Sequence, residues 1–232
     1  MKNALLVVSL LLSLITSCDQ RRDEGHDEEL QAPLTIREII TRNYTFKMVG
    51  GEPQKDSVKE CFSCNQGLEY DEMGREVVLR FYKSDLDSLY GYEVYRYDLA
   101  GQKIGADYYE NDSIVTAYIY ELDSLGRIQI NRAIDRKTGE MLYGYRYRYD
   151  EAGNAFETGN LNADGEIYEY YRYAYNEFGV VTTEEIVDLE GNPTFEIQYE
   201  YRPKPDSNWV DQISYHNGKL TEIRHREILY FN

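Results

Sequence analysis

The chain has 232 residues, with 25 Lys and Arg against 42 Asp and Glu for a formal net charge of −17, and 24 of its residues are tyrosine. This balance excludes nucleic acid as a partner, because its binders need a basic face, and disfavours an anionic lipid surface.

Residues 1–17 read as a secretory signal. Lys2 gives the positive start and Ala4 to Ile15 the apolar core. That core is too short to span a bilayer as a helix of about 20 residues. Its end, Ile15-Thr16-Ser17-Cys18, resembles the bacterial lipobox, which implies cleavage before Cys18 and lipidation of that residue. The protein is then held to the membrane through Cys18. Residues 18–33 are polar and charged with no apolar period, a tether. The acidic residues soon after Cys18 resemble surface-export signals, and Asp19 directly after it resembles an inner-membrane retention signal. The outer membrane is the expected address.

Residues 34–65 form an atypical N-terminal cap. TIREIITRNYTFKMV reads as one or two strands, and Gly50-Gly51-Glu52-Pro53 as a turn. Cys61 and Cys64 form CxxC. A zinc site needs about four ligands, and no second CxxC or paired His exists. No βαβ pattern accompanies the motif as a redox CxxC would require. Outside the cytoplasm a local disulfide is the plain reading.

Residues 66–232 repeat one phrase: aromatic, any, Tyr, Asp or Asn, two residues, Gly. It reads YRYDLAG at 95–101, YRYDEAG at 147–153 and YAYNEFG at 173–179, with LEYDEMG at 68–74 and the shifted YELDSLG at 120–126. The closing residues Gly74, Gly101, Gly126, Gly153 and Gly179 recur every 25–27 residues, a repeat architecture. Within the phrase Tyr143, Tyr145, Tyr147 and Tyr149 share one parity; Tyr171, Tyr173 and Tyr175 share another, as do Phe195, Ile197, Tyr199 and Tyr201. Period two means strand, so one face is aromatic and the other charged. Tyr118, Tyr120 and Leu122 keep the same face in the shifted copy. Asp-x-x-Gly is turn chemistry, and a second turn falls midway through most repeats, as at Asn111-Asp112 and Asn217-Gly218. The recurring Asp mark turns rather than a calcium array, which needs several oxygens converging on each ion.

Each repeat is a hairpin, so the expected fold is all-β: an antiparallel meander of about six hairpin repeats, roughly twelve strands. Open twisted sheets rarely exceed about ten strands without curling or closing. A coiled sheet wrapped over its Tyr face is expected, with a closed barrel as the alternative. Tyr fills a half-wet core well, because its ring buries while its hydroxyl reaches water. An exposed Tyr ladder, with Tyr145, Tyr147, Tyr171 and Tyr173 as the candidates, would instead stack on sugars or a partner chain.

No nucleophile–base pair stands out. His216 and His225 are expected at the surface, and no carboxylate sits in an apolar stretch. No cofactor and no metal are implied. Gly91–Ile104 (GYEVYRYDLAGQKI) and Gly144–Phe156 (GYRYRYDEAGNAF) resemble the YD repeats of the Rhs family, a resemblance spanning roughly residues 66–232. It implies a continuous antiparallel β-spiral, which in large members forms a shell around a toxin, and some YD-repeat proteins are thought to bind carbohydrate. The repeats here are a few residues longer, and six copies cannot enclose a second domain. The expectation is a non-enzymatic cell-envelope lipoprotein, a β-repeat scaffold for protein interaction; the alternative is a surface carbohydrate-binding lipoprotein using exposed Tyr rows.

Overall fold

The computed structural model describes residues 35–85, 87–202 and 210–231. Cys18, the signal, the tether and most of the 203–210 loop lie outside these residues. The described chain is entirely β: β1 (Ile36–Val49), β2 (Glu52–Val58), β3 (Asn65–Tyr70), β4 (Glu76–Tyr82), β5 (Leu89–Tyr97), β6 (Lys103–Glu110), β7 (Ser113–Leu122), β8 (Ile128–Asp135), β9 (Met141–Tyr149), β10 (Ala155–Leu161), β11 (Ile167–Tyr175), β12 (Val181–Val187), β13 (Pro193–Arg202), β14 (Asp211–His216) and β15 (Lys219–Tyr230).

From β3 onward each strand pairs antiparallel with the next, and β1 closes the ring by pairing with both β3 and β15. The result is a closed barrel of 14 strands. The expected count of twelve missed the odd last strand: β15 finds its partner in β1, not in a seventh hairpin. Their seam runs from Ile36 opposite Tyr230 to Tyr44 opposite Ile223. Closure leaves no unpaired ladder edge in the ring, which removes the template for aggregation that an open sheet presents. Paired cysteines at Ile40 and Glu227, register partners on the outer face of the seam, test it. Antiparallel partners place Cα atoms about 4.5–5.5 Å apart, within disulfide reach. An intramolecular bond linking these positions is expected by peptide mapping; no such bond under mild oxidation would argue for an open sheet.

The Tyr face points inward. One row of facing inner positions runs Tyr95, Ala106, Tyr118, Ala133, Tyr143. The outgoing strand of each repeat gives the ring and the return strand gives a small residue for it to lie across. Ala106, Ala133 and Ala155 are buried almost completely as a result. Fourteen strands enclose more width than Val or Leu could fill; a tyrosine ring extends further toward the axis. The hydroxyls then find backbone. Tyr97 donates to the Glu76 carbonyl at 2.6 Å, Tyr149 to Ile128 at 2.7 Å and Tyr175 to Ala155 at 2.8 Å, and Tyr201 bonds Val181 in the same way. Tyr97, Tyr149 and Tyr175 are the Tyr that precedes Asp or Asn in the phrase, Tyr201 takes the same place before Arg202, and each bond reaches back to the return strand of the preceding repeat. Leu122 replaces it in the shifted copy and cannot make the bond.

The Asp of each phrase is consumed by its own turn. Asp123 accepts from the Leu125 and Arg127 amides at 2.9 Å each, and Asn176 from Phe178 and Val180 at 3.0 Å each. The five closing glycines all adopt positive φ, which a Cβ would penalise. Among the described residues no group of three or more His, Cys, Asp or Glu could hold a metal ion. These turns all lie at one end of the barrel, termed the YD end, together with the start of β1.

The outer wall is charged. Arg148 and Arg172 both bond Glu157, at 2.8 and 3.1 Å, across β9, β10 and β11. Arg96 pairs with Asp107 at 3.3 Å and lays its guanidinium over Gly105 to reach the Tyr118 carbonyl. The second half of β1 leaves the ring with β2 as a hairpin against this wall: Lys55 reaches Asp211 at 3.1 Å and Glu52 reaches Arg202 at 3.3 Å.

Candidate functional site

At the end opposite the YD turns, residues 59–64 cross the barrel mouth. The Lys59 amide donates to the Asn43 carbonyl at 2.8 Å, and its ammonium meets Glu222 at 2.6 Å. Glu60 accepts from Ser84 in the β4–β5 turn and from Tyr90. Cys61 and Cys64 are joined by a disulfide. The four-residue ring so formed holds Phe62 over the lumen, where it stacks on Phe81 at 5.2 Å between centroids and meets Tyr108 edge-on at 6.0 Å.

Beneath this cap lies a cavity of about 230 Å³, lined by Phe62, Phe81, Glu93, Tyr108, Thr116, Tyr118 and Tyr143. The Tyr118 and Tyr143 hydroxyls are 3.0 Å apart. Burial pushes the Glu93 carboxyl up to about 7, against a smaller lowering by the Tyr118 hydroxyl and by Lys103. Burial likewise raises the Tyr118 and Tyr143 hydroxyls, so both stay protonated. The hydroxyl of the buried Tyr108 lies beside the Glu110 carboxylate, and burial together with that charge raises its pKa.

Glu93 gives a pH signature. Its folded-state value is raised, so the folded barrel holds the proton while the unfolded chain releases it near 4.5. The carboxyl costs nothing below that pH; the cost builds as pH rises through 4.5 to about 7 and is complete above. Glu93→Gln should therefore raise the urea midpoint at pH 8 more than at pH 5. An equal effect at both pH values would mean that the carboxyl is not buried.

The four candidate tyrosines all lie on the inner face, Tyr145 and Tyr147 on β9 and Tyr171 and Tyr173 on β11. Tyr147 is only 7% exposed, and its ring centroid lies 6.5 Å from that of Tyr145. No open Tyr row remains on the wall at these positions. His216 is partly exposed on the inner parity: it pairs with Ile197, its ring lies 5.0 Å from Phe195, and desolvation lowers its pKa. His225 is on the outer wall, 2.8 Å from Asp211 and beneath Lys55. The reading that no carboxylate stands in an apolar stretch is also corrected. Glu93 shares the parity of Tyr95 and Tyr97, and an acid on the aromatic parity was the available signal. Phe62 and Tyr108 had no comparable mark, since nothing local says which rings a cap will meet.

No family model and no curated protein matches the chain. Solved structures it is similar to include a porin-like protein from Bacteroides uniformis ATCC 8492, at 13% identity and TM-score 0.46, covering 86% of this chain and 98% of that one. Others are the Photorhabdus luminescens Tc holotoxin pore, at 11% identity and TM-score 0.34, and TcdB2-TccC3, at 12% and 0.33. The alignments cover 80% and 79% of this chain and 11% of each of those two chains.

Proposed function

We propose that this protein is a non-enzymatic lipoprotein of the cell envelope, anchored through Cys18 in the outer membrane, whose barrel is a scaffold for binding a partner protein. The observation that carries the reading is the distribution of surfaces. The aromatic face is spent on the interior, and the wall is covered by cross-strand ion pairs. The most exposed large apolar side chains, Leu99, Met73 and Leu125, all stand on turns of the YD end, where Phe178 is also more than half exposed; Met48, Tyr168 and Leu189 are comparably exposed but lie apart on the β1–β2 hairpin, β11 and the β12–β13 turn. Met73, Leu99 and Leu125 stand on successive YD turns, two strands or about 10 Å apart at the spacing of paired strands, and Phe178 stands two turns further along the same rim. Exposed apolar clusters rimmed by polar groups mark interaction sites, and Asp71, Glu72, Asp98, Asp123 and Glu177 supply the polar border.

The test is crosslinking in living cells at native protein level, with wild type beside a Leu99→Glu, Leu125→Glu, Phe178→Glu variant. One protein recovered near stoichiometry with wild type and lost with the variant supports the reading. Recovery of the bait alone, or of polysaccharide, overturns it in favour of glycan binding.

A further inference from the structure

The capped cavity combines two features that the scaffold role does not use. The first is its aromatic lining: Phe62 and Phe81 stack on each other and Tyr108 meets both edge-on, so the three pack as one apolar wall, and Tyr118 and Tyr143 line the rest with two more rings. The second is a single carboxylate among them. Glu93 has no salt bridge among the described residues; the neighbouring Lys103 is spent on Glu76 and lies over the Tyr95 ring at 4.3 Å. Ring faces are negative, and an aromatic lining beside one acid suits a positive charge.

We propose that this cavity binds a small organic cation, an alkylated ammonium, with Glu93 as counter-ion and the aromatic residues that line the cavity against its alkyl groups. At about 230 Å³ the space lies below the roughly 300–1,000 Å³ of drug-sized sites, which limits the occupant to a few heavy atoms. Phe62 is 38% exposed and roofs the cavity at the barrel mouth, so entry is past this residue. The occupant's charge favours ionised Glu93, with Tyr118 then donating to it and Tyr143 to Tyr118. The other charged groups facing Glu93 are Glu76 on β4 and Lys103 on β6, paired with each other. The hydroxyls of Tyr95, Tyr108, Tyr118 and Tyr143 are all raised by burial and do not ionise near neutrality. Binding is therefore expected to strengthen as pH rises from 5.5 to 8.

The experiment is calorimetric titration of the purified protein at constant ionic strength with choline, and with 3,3-dimethylbutan-1-ol as its uncharged isostere. Choline is expected to bind one to one at pH 8 and the isostere at least tenfold more weakly. Glu93→Gln should weaken choline binding at least tenfold without lowering the thermal midpoint, and Phe62→Ala should weaken it while preserving the far-ultraviolet dichroism. Equal binding of choline and the isostere, unchanged affinity in Glu93→Gln, or no saturable binding of choline overturns the proposal.

Discussion

Replacing Tyr147 by alanine is expected to cost about 3–5 kcal/mol of folding stability, the range for truncating a buried aromatic ring. Tyr147 is 7% exposed, faces Thr158 across the β9–β10 pair and packs beside Tyr145. Removing the ring leaves a hole that strands locked into a closed ladder on both sides cannot collapse to fill. Urea unfolding by linear extrapolation measures the loss. The half-buried Tyr171, two strands away, is expected to lose less on the same truncation, because water already reaches part of its ring. A recognition residue behaves the other way: its loss abolishes binding and leaves the midpoint in place. An unchanged midpoint in Tyr147→Ala would show that the aromatic face is not the core.

Lys103→Met is expected to destabilise the barrel by about 3 kcal/mol, and Glu76→Leu in the same chain to restore most of it. Glu76 is nearly buried, with 8% of its side chain exposed, and its ion pair with Lys103 lies on the inner face. Removing the lysine alone strands a carboxylate in a poorly solvated interior, which costs more than the pair contributes. Removing both leaves apolar groups of similar size. The double-mutant cycle, read by urea unfolding, should show strong non-additivity. Additive losses would mean that water solvates Glu76 as well as the lysine does.

Much of the architecture was legible from residues alone, and the reason is local. Period two in Tyr143 to Tyr149 fixes which side chains share a face, whatever the sheet then does. Asp-x-x-Gly closes its own turn, with Asp123 and Asn176 satisfied by amides two and four residues on. Leu122 keeps the face but not the hydroxyl, so parity was readable there and the lost bond to a distant carbonyl was not. The same parity marks Glu93 as an acid among aromatics, although its isolation from any cation depends on where Lys103 and Glu76 meet.

What the sequence by itself determined is therefore the strand, the hairpin, the turn and the division into an aromatic and a charged face, because each follows from neighbours within a few residues. Tertiary structure alone decided between a coiled sheet and a barrel, since that choice rests on whether β1 meets β15 across nearly the whole chain. It also decided that the aromatic face turned inward, because curvature is a property of all fourteen strands together. The cap over the lumen belongs with these: CxxC makes a tight ring wherever it sits, but that Phe62 lands on Phe81 and Tyr108 is fixed only when residues 59–64 are drawn across the mouth between Glu222 and Ser84.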